Sequence, residues 1–383
     1  MTTFPNRPDV VVVGAGIVGT ACAAGLVRAG LRVTIVDAAF AGCGTTSVGM
    51  GHIVVLDDSP TELLLSAYSR RLWAELGELL PPDCEDEERG TLWLATTDEE
   101  LAIARSKRDV YARFGVDARV LDDRELAVRE PALRRGLAGA LFVPEDRVLY
   151  PPAAARFFLA QAIAGGATFT SGVSITTIGD RVVAFGTNSG SVESLSTGAV
   201  VNAAGVDAPR LTPGLPIFPR KGHLVITDRY PGLCRSELVE LGYLESAHSS
   251  GGTSTAFNLQ PRATGQLLIG SSREMVGRDP GINRALLRTM IRRAIEFVPA
   301  LSRCSAIRAW TGFRPATPDN LPLIGRWEPI DDLWVAAGHE GLGITLAPIT
   351  AELIVAGITG RSPPLDAAPF SPMRAMPTLQ GAT

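Results

Sequence analysis

Cysteine and histidine are both scarce in this chain. Five cysteines (Cys22, Cys43, Cys84, Cys234 and Cys304) are scattered over 383 residues, with no CxxC pair. An odd, dispersed set argues against a disulfide framework, a zinc site and a resident iron–sulfur cluster. The four histidines, His52, His223, His248 and His339, are not spaced as a metal pair. A reducing cytoplasm fits this usage. Positive charge is not in excess: 36 Lys and Arg stand against 40 Asp and Glu, a net charge of −4. Nucleic-acid binders normally need a basic face, so that class is disfavoured. One uncharged run, Val10 to Val27, is long enough to suggest a membrane span or a signal segment. It holds four glycines and directly follows Asp9. No transmembrane segment is therefore expected.

Glycine is what the chain has in plenty. The 40 glycines exceed the usual share of about 7% and imply many turns, or backbone that approaches a ligand closely. At about 100–200 residues per domain, the length suggests two domains or one large one.

Local patterns give an alternating architecture. DVVVV is a continuous β-branched run, as a buried parallel strand should be, and LRVTIVD is the next strand. Ser59-Pro60-Thr61-Glu62 is a capping box opening a helix with Leu65, Tyr68, Leu72, Leu76 and Leu79 at helical spacing. Thr97 to Glu100 caps another helix, and Pro151-Pro152 opens one running to about Ala164. Residues 216–275 look β-rich, through GHLVITD and QLLIGSS. Asn283 to Phe297 is amphipathic, with Leu286, Leu287, Met290, Ile291, Ala294 and Ile295 inward. Leu333–Ala337 reads as a strand, then a glycine-rich turn and a helix from about Thr345 to Ile358. The tail from 361 is Pro-rich and reads as loose or packed on a partner.

Gly14-Ala15-Gly16-Ile17-Val18-Gly19 is a GxGxxG between a strand and a helix. Asp37, followed by Ala38, ends the next strand about 20 residues on, as a dinucleotide fingerprint requires. Gly14 permits the tight turn, Gly16 admits a pyrophosphate, and Gly19 lets helix and strand pack closely. The helix N-terminus favours phosphate charge, and Asp37 would bind ribose hydroxyls. The loop alone leaves FAD and NAD open, as well as a glycine-rich turn without nucleotide. Its position near the N-terminus suits flavoproteins whose first βαβ unit carries the flavin. The segment 41–52, with Gly44, Thr45, Thr46, Ser47, Met50, Gly51 and His52, is small and hydroxyl-rich. It can wrap a diphosphate and lie under a flat ring, or it can be a plain surface loop.

With these motifs the chain resembles the D-amino-acid oxidase superfamily of FAD-dependent amine oxidoreductases, which includes glycine and sarcosine oxidases. The resemblance spans nearly the whole chain. Val200-Val201-Asn202-Ala203-Ala204-Gly205 looks like the strand and turn beside the FAD pyrophosphate, and Val173 sits where the family contacts adenine. The segment 310–319, with Arg314, looks like the carrier of a substrate-carboxylate arginine. Gly338-His339-Glu340-Gly341-Leu342-Gly343-Ile344-Thr345 looks like the C-terminal flavin loop. More narrowly, PRKGHLVITDRYPG, FNLQPRATGQLLIGSS and GHEGLGIT resemble the flavin (beta) subunits of D-hydroxyproline dehydrogenase, opine oxidase and hydrogen cyanide synthase. Where sarcosine-oxidase relatives carry a flavin-linking Cys, this chain reads Gly312-Phe313-Arg314, which implies non-covalent FAD. Where glycine-oxidase relatives carry a Tyr, Phe257-Asn258-Leu259-Gln260 stands, which implies a different pocket.

The resemblance implies an α/β, Rossmann-like FAD-binding domain assembled from 1–85, 148–215 and 306–363. It implies an α+β substrate domain with an antiparallel sheet from 86–147 and 216–305, and a Pro-rich tail at 364–383. The expected reaction is hydride transfer to FAD from a small amino or imino acid, cyclic and D-hydroxyproline-like. Electrons would then pass to a partner in a hetero-oligomer carrying FMN or an iron–sulfur cluster. Two alternatives are a self-sufficient glycine or D-amino-acid oxidase making peroxide and a non-catalytic FAD scaffold; an NAD-dependent dehydrogenase is a fourth reading. Arg314 is the expected carboxylate fork, with a structural ion pair as its other reading. His339 and His52 are catalytic candidates, and Asn258 and Gln260 are pocket candidates on alternating strand positions. Lys221 and His223 are softer ones, with Lys221 more simply read as a solvated lysine. The helix after Gly338–Thr345 is expected to turn its N-terminus to the flavin.

Overall fold

Val10–Val13 is buried along its whole length, which a strand tolerates only at the centre of a sheet covered on both faces. The computed structural model, which describes residues 7–56, 59–186, 192–242 and 253–376, gives it that position. It lies between Ala199–Asn202 and Val33–Asp37 in a six-stranded sheet. The order is Leu323–Arg326, Leu333–Ala337, Ala199–Asn202, Val10–Val13, Val33–Asp37, Thr168–Ser171. All are parallel except the edge strand Leu323–Arg326. Side-chain alternation splits the core. Val10 and Val12 pack toward the helices Ile17–Arg28, Pro151–Ala164 and Ala347–Thr359. Val11 and Val13 pack toward an antiparallel meander of Ile175–Gly179, Val182–Gly186 and Val192–Ser196. The uncharged run from Val10 is thus a strand, a turn and a helix, not one span. Among the described residues no helix is long and apolar enough to cross a membrane.

A second sheet has eight strands, in the order Ala306–Ala316, Phe218–Thr227, Leu267–Arg273, Ser254–Pro261, Glu237–Glu240, Thr91–Ala95, Gly139–Val143, Arg119–Asp122. Only the pair Glu237–Glu240 and Thr91–Ala95 is parallel. Residues 306–316, grouped in the sequence with the FAD-binding segments, form its edge strand. The amphipathic helix Arg284–Phe297 buries Leu286, Met290, Ala294 and Phe297, and Phe297 stacks on Phe257 at 4.5 Å.

Three expectations are corrected. The helix Pro60–Leu76 ends before Leu79, which is exposed; Leu65 is buried as expected, but the buried face also carries Leu63, Ser66, Ser69, Arg70 and Trp73. Those polar groups have partners elsewhere in the fold, which a hydrophobic period cannot reveal. The C-terminal helix starts at Ala347, because Thr345 is held outside it by its own hydroxyl bonds. The described part of the tail is not loose: Phe370 is buried, and Arg374 clamps Asp319 through two bonds of 2.8 Å. Residues 377–383 lie outside the described residues.

Candidate functional site

Both sheets contribute walls to one elongated cavity of about 590 Å³. That size is ordinary for a cofactor or small-molecule site.

One end is built by the strand–turn–helix at Gly14. Gly14 has φ +106°, and a Cβ there would lie 2.5 Å from Ala203 O. A Cβ on Gly19 would lie 2.0 Å from Gly14 O, so the helix and turn meet only because both residues are glycine. Gly16 caps the helix Ile17–Arg28 with no side-chain hydrogen bond, which leaves its first N–H groups directed at the cavity; Ile17 N–H alone reaches Thr46 Oγ1, at 3.1 Å. The Asp37 carboxylate accepts from Ala15 N–H and Ala39 N–H, both at 2.7 Å. Val173 N–H donates to Asp37 O at 3.0 Å. Gly14, Gly16, Ile17, Val18, Asp37, Ala38, Val173, Ala203, Ala204 and Gly205 all line the cavity. Ala15 and Gly19 lie behind this wall. A cradle without Cβ atoms, an uncapped helix N-terminus and an acid beside it suit a dinucleotide.

The other end is made by two loops locked together. Thr45 Oγ1 donates to Phe313 O at 2.8 Å. Thr345 Oγ1 donates to His52 O and accepts from Val54 N–H. Ser69 Oγ donates to Thr345 O at 2.6 Å, and Trp73 Nε1 donates to Ile344 O at 3.1 Å. This explains the polar face of the helix Pro60–Leu76. Gly44, Thr45, Thr46, Met50, Gly51, His52 and residues 339–344 line the cavity. Ser47, Gly338 and Thr345 do not: Ser47 Oγ turns to Gly44 O, and Thr345 is the buried clasp. The turn 340–344 intervenes between the cavity and Ala347, so the helix N-terminus is set back from the wall.

Arg314 lines the cavity from the edge strand, with Nη1 donating to Ser272 O at 3.1 Å. Arg220 and Arg273 join it; the sequence reading singled out neither, although Arg220 lies within the quoted segment PRKGHLVITDRYPG. All three face Glu340 Oε1: Arg220 Nη1 at 3.3 Å, Arg273 Nε at 3.8 Å and Arg314 Nε at 3.9 Å. Burial opposes the charge on Glu340, but the guanidiniums of Arg314, Arg273 and Arg220 outweigh it and hold the carboxyl below its ordinary range. The missed signal was strand alternation. In the strand Phe218–Thr227, Arg220, Gly222 and Leu224 face the cavity while Lys221 and His223 face away. Lys221 is no solvated lysine: it is buried, 3.3 Å from both Glu274 and Asp279. His223 bonds Ser272 Oγ and Asn283 N–H on that same far side.

Asn258 lines the cavity, whereas Gln260 is fully buried behind it. His339 Nε2 meets Thr350 Oγ1 at 2.9 Å, and burial drives its pKa down to about 3. Burial likewise takes His52 down to about 3. Its Nε2 lies 2.5 Å from Glu237 Oε2. Burial, with help from Asp146, pushes Glu237 well above the carboxylate range. Burial thus disfavours the charge on both members of this pair, and His52 Nε2 also meets Thr91 Oγ1 at 3.1 Å. Neither histidine carries charge near neutral pH, and neither is poised as a general base there.

Comparison with known proteins agrees with this geometry. The family model DAO, FAD dependent oxidoreductase, matches residues 9–356. The hydrogen cyanide synthase subunit HcnC of Pseudomonas aeruginosa is 28% identical, over 96% of this chain and 96% of its own. The crystal structure of glycine oxidase from Geobacillus kaustophilus superposes with a TM-score of 0.86 at 27% identity, covering 97% of this chain and all of that one. L-proline dehydrogenase from P. horikoshii gives a TM-score of 0.85 at 26% identity, covering 96% and 98%. The chain belongs to the DAO family of FAD-dependent oxidoreductases, and FAD is its cofactor.

Proposed function

We propose that this chain oxidises the C–N bond of a small amino or imino acid and passes the electrons to a partner subunit or acceptor. The observation that carries this reading is Arg314, a guanidinium on the cavity wall beside the turn 340–344. A guanidinium fork matches a carboxylate in a fixed plane and so orients the carbon next to it. FAD, when bound, accepts the hydride equivalent that the substrate gives up. The chain's own part is binding and orientation: Arg314 holds the carboxylate, Asn258 offers an amide, and the neutral His52 and His339 shape the wall without adding charge. Of the five cysteines only Cys43 lines the cavity, beside Asp37, which supports non-covalent FAD.

Transfer to a partner is supported by HcnC, a relative named as a subunit, and by a cysteine set with no cluster motif. A partner carrying FMN or an iron–sulfur centre would complete the path. All five cysteines are unpaired, which favours the cytoplasm. The six-stranded unit is read as the FAD-binding domain and the eight-stranded one as the substrate domain. A cyclic, D-hydroxyproline-like substrate rests on resemblance alone.

The test is anaerobic. FAD in the purified chain should bleach when mixed with one member of a panel of D- and L-amino and imino acids. Air should restore the colour slowly, with little peroxide. Fast aerobic peroxide release would favour a self-sufficient oxidase, and no bleaching by any member would leave a scaffold.

A further inference from the structure

We infer that His223 is a positioning residue for Arg314, which it fixes from the opposite face of the sheet by locking a bulge at Ser272. This inference rests on the reading above, in which Arg314 takes a substrate carboxylate.

Between the strands Phe218–Thr227 and Leu267–Arg273 the register slips. Val225 stands opposite Ile269, but Lys221 stands opposite Glu274, just past the strand's end. The second strand carries one residue more than the first over this stretch, which is a β-bulge. Ser272 lies in it. His223 N–H donates to Ser272 Oγ at 2.9 Å, so a side chain stands in for a ladder carbonyl. The Ser272 carbonyl accepts from Arg314 Nη1 at 3.1 Å instead. Re-aiming groups beside a site is what bulges commonly do.

The ring of His223 adds a second hold. Its Nε2 accepts from Asn283 N–H at 3.0 Å, so Nδ1 carries the proton and donates to Ser272 Oγ at 2.9 Å. A protonated Nε2 would set one N–H against another. Burial keeps the ring below its ordinary pKa; Glu274 opposes this, and Lys221 and Arg314 add to it. One fully buried residue thus grips Ser272 twice.

Lys221 closes the other side of the bulge. Its N–H and carbonyl pair with those of Glu274, both at 3.0 Å, and its Nζ donates to Gly281 O at 2.9 Å. Between Lys221 and His223, Gly222 offers bare backbone to the guanidinium: a Cβ there would lie 2.6 Å from Arg314 Nη1. Arg314 therefore rests against Gly222 and is held at Ser272 O, and both supports are set from the far face. A fork fixed in advance loses less freedom when it takes a carboxylate.

The experiment uses the FAD-loaded full chain, with acetate as the probe and calorimetry as the readout. His223→Leu removes both holds on Ser272 and should weaken acetate binding about tenfold. His223→Asn keeps a donor where Nδ1 stands and should bind within about threefold of the wild type. Asn283→Ala loses the helix cap and the bond to Glu274. It should lower Tm and leave acetate binding unchanged. Should His223→Leu fail to fold, Ser272→Ala removes the same contact and carries the same expectation. A ligand-free crystal structure of the variant should show Arg314 departed from the carbonyl of residue 272. Wild-type affinity in His223→Leu or Ser272→Ala overturns the inference. So does a loss of affinity in Asn283→Ala that matches theirs, because it would mean that binding merely follows stability. If the wild type takes no acetate on Arg314 the proposed function loses its carboxylate fork. The crystal structure of the variant then still decides, and an Arg314 that stays at that carbonyl refutes the positioning role.

Discussion

Asp146 offers a sharp test of the electrostatics behind the cavity. Its carboxyl is 1% exposed, and burial lifts its pKa from 3.8 to about 7. Thr91, Arg70 and the backbone of Val55 oppose that rise without cancelling it. Between these two values the folded chain keeps a proton that the unfolded chain has released. Stability therefore falls as pH rises through that window and is flat above it. A gap of about three units at 1.36 kcal/mol per unit amounts to about 4 kcal/mol. Asp146→Asn keeps the shape and cannot ionise. Arg70 retains Glu145 as its partner at 2.5 Å. The Asn variant should gain on the wild type steadily between about pH 4 and pH 7, by up to about 4 kcal/mol, and the gain should then stay constant to pH 8. Thermal denaturation of both FAD-loaded proteins at pH 5, 6, 7 and 8 measures this. A difference in Tm that is the same at pH 5 and pH 8 would refute the reasoning, because it would mean that Asp146 is charged in the fold throughout.

Four further perturbations separate the parts of the site. Gly19→Ala drives a Cβ into Gly14 O and should destabilise the fold by about 1–3 kcal/mol, seen as a lower Tm with or without added FAD. Gly16→Val, where the nearest atom to the new Cβ is Thr46 Oγ1 at 3.2 Å, should spare the fold but lower the flavin content of the purified protein. Arg314→Lys keeps the charge and loses the fork, so substrate Kd in anaerobic stopped flow should rise about tenfold or more with FAD retained. His339→Gln should leave the pH profile of flavin reduction unchanged between pH 5 and 8, because the native ring is already neutral over that whole range; a profile that moves would contradict the assignment.

Much of the cofactor end was legible in the sequence because its constraints are local. Gly14, Gly16, Gly19 and Asp37 are fixed by chain geometry within one βαβ unit, whose helix length sets how far along the chain the acid must lie to return to the glycine turn. The arginine-lined end is different. Arg220, Arg273 and Arg314 come together only through the register of three neighbouring strands, and no period in the sequence announces that register. Lys221 and His223 drew attention by residue type, yet one position along the strand sends them to the other face. The helix Pro60–Leu76 was placed correctly by its cap, but its polar buried face was invisible because Ser69 and Trp73 find their partners at residues 344 and 345. His52 and His339 were read by chemistry alone. Burial, a property of the assembled fold, is what removes their charge.

The most direct measurement is a crystal structure of the FAD-loaded chain with a non-oxidisable carboxylate such as acetate. The account predicts the carboxylate on Arg314 at the hydrogen-bonding distance of about 2.7–3.2 Å. A carboxylate bound elsewhere in the cavity, with Arg314 still turned to Ser272 and Glu340 alone, would contradict it.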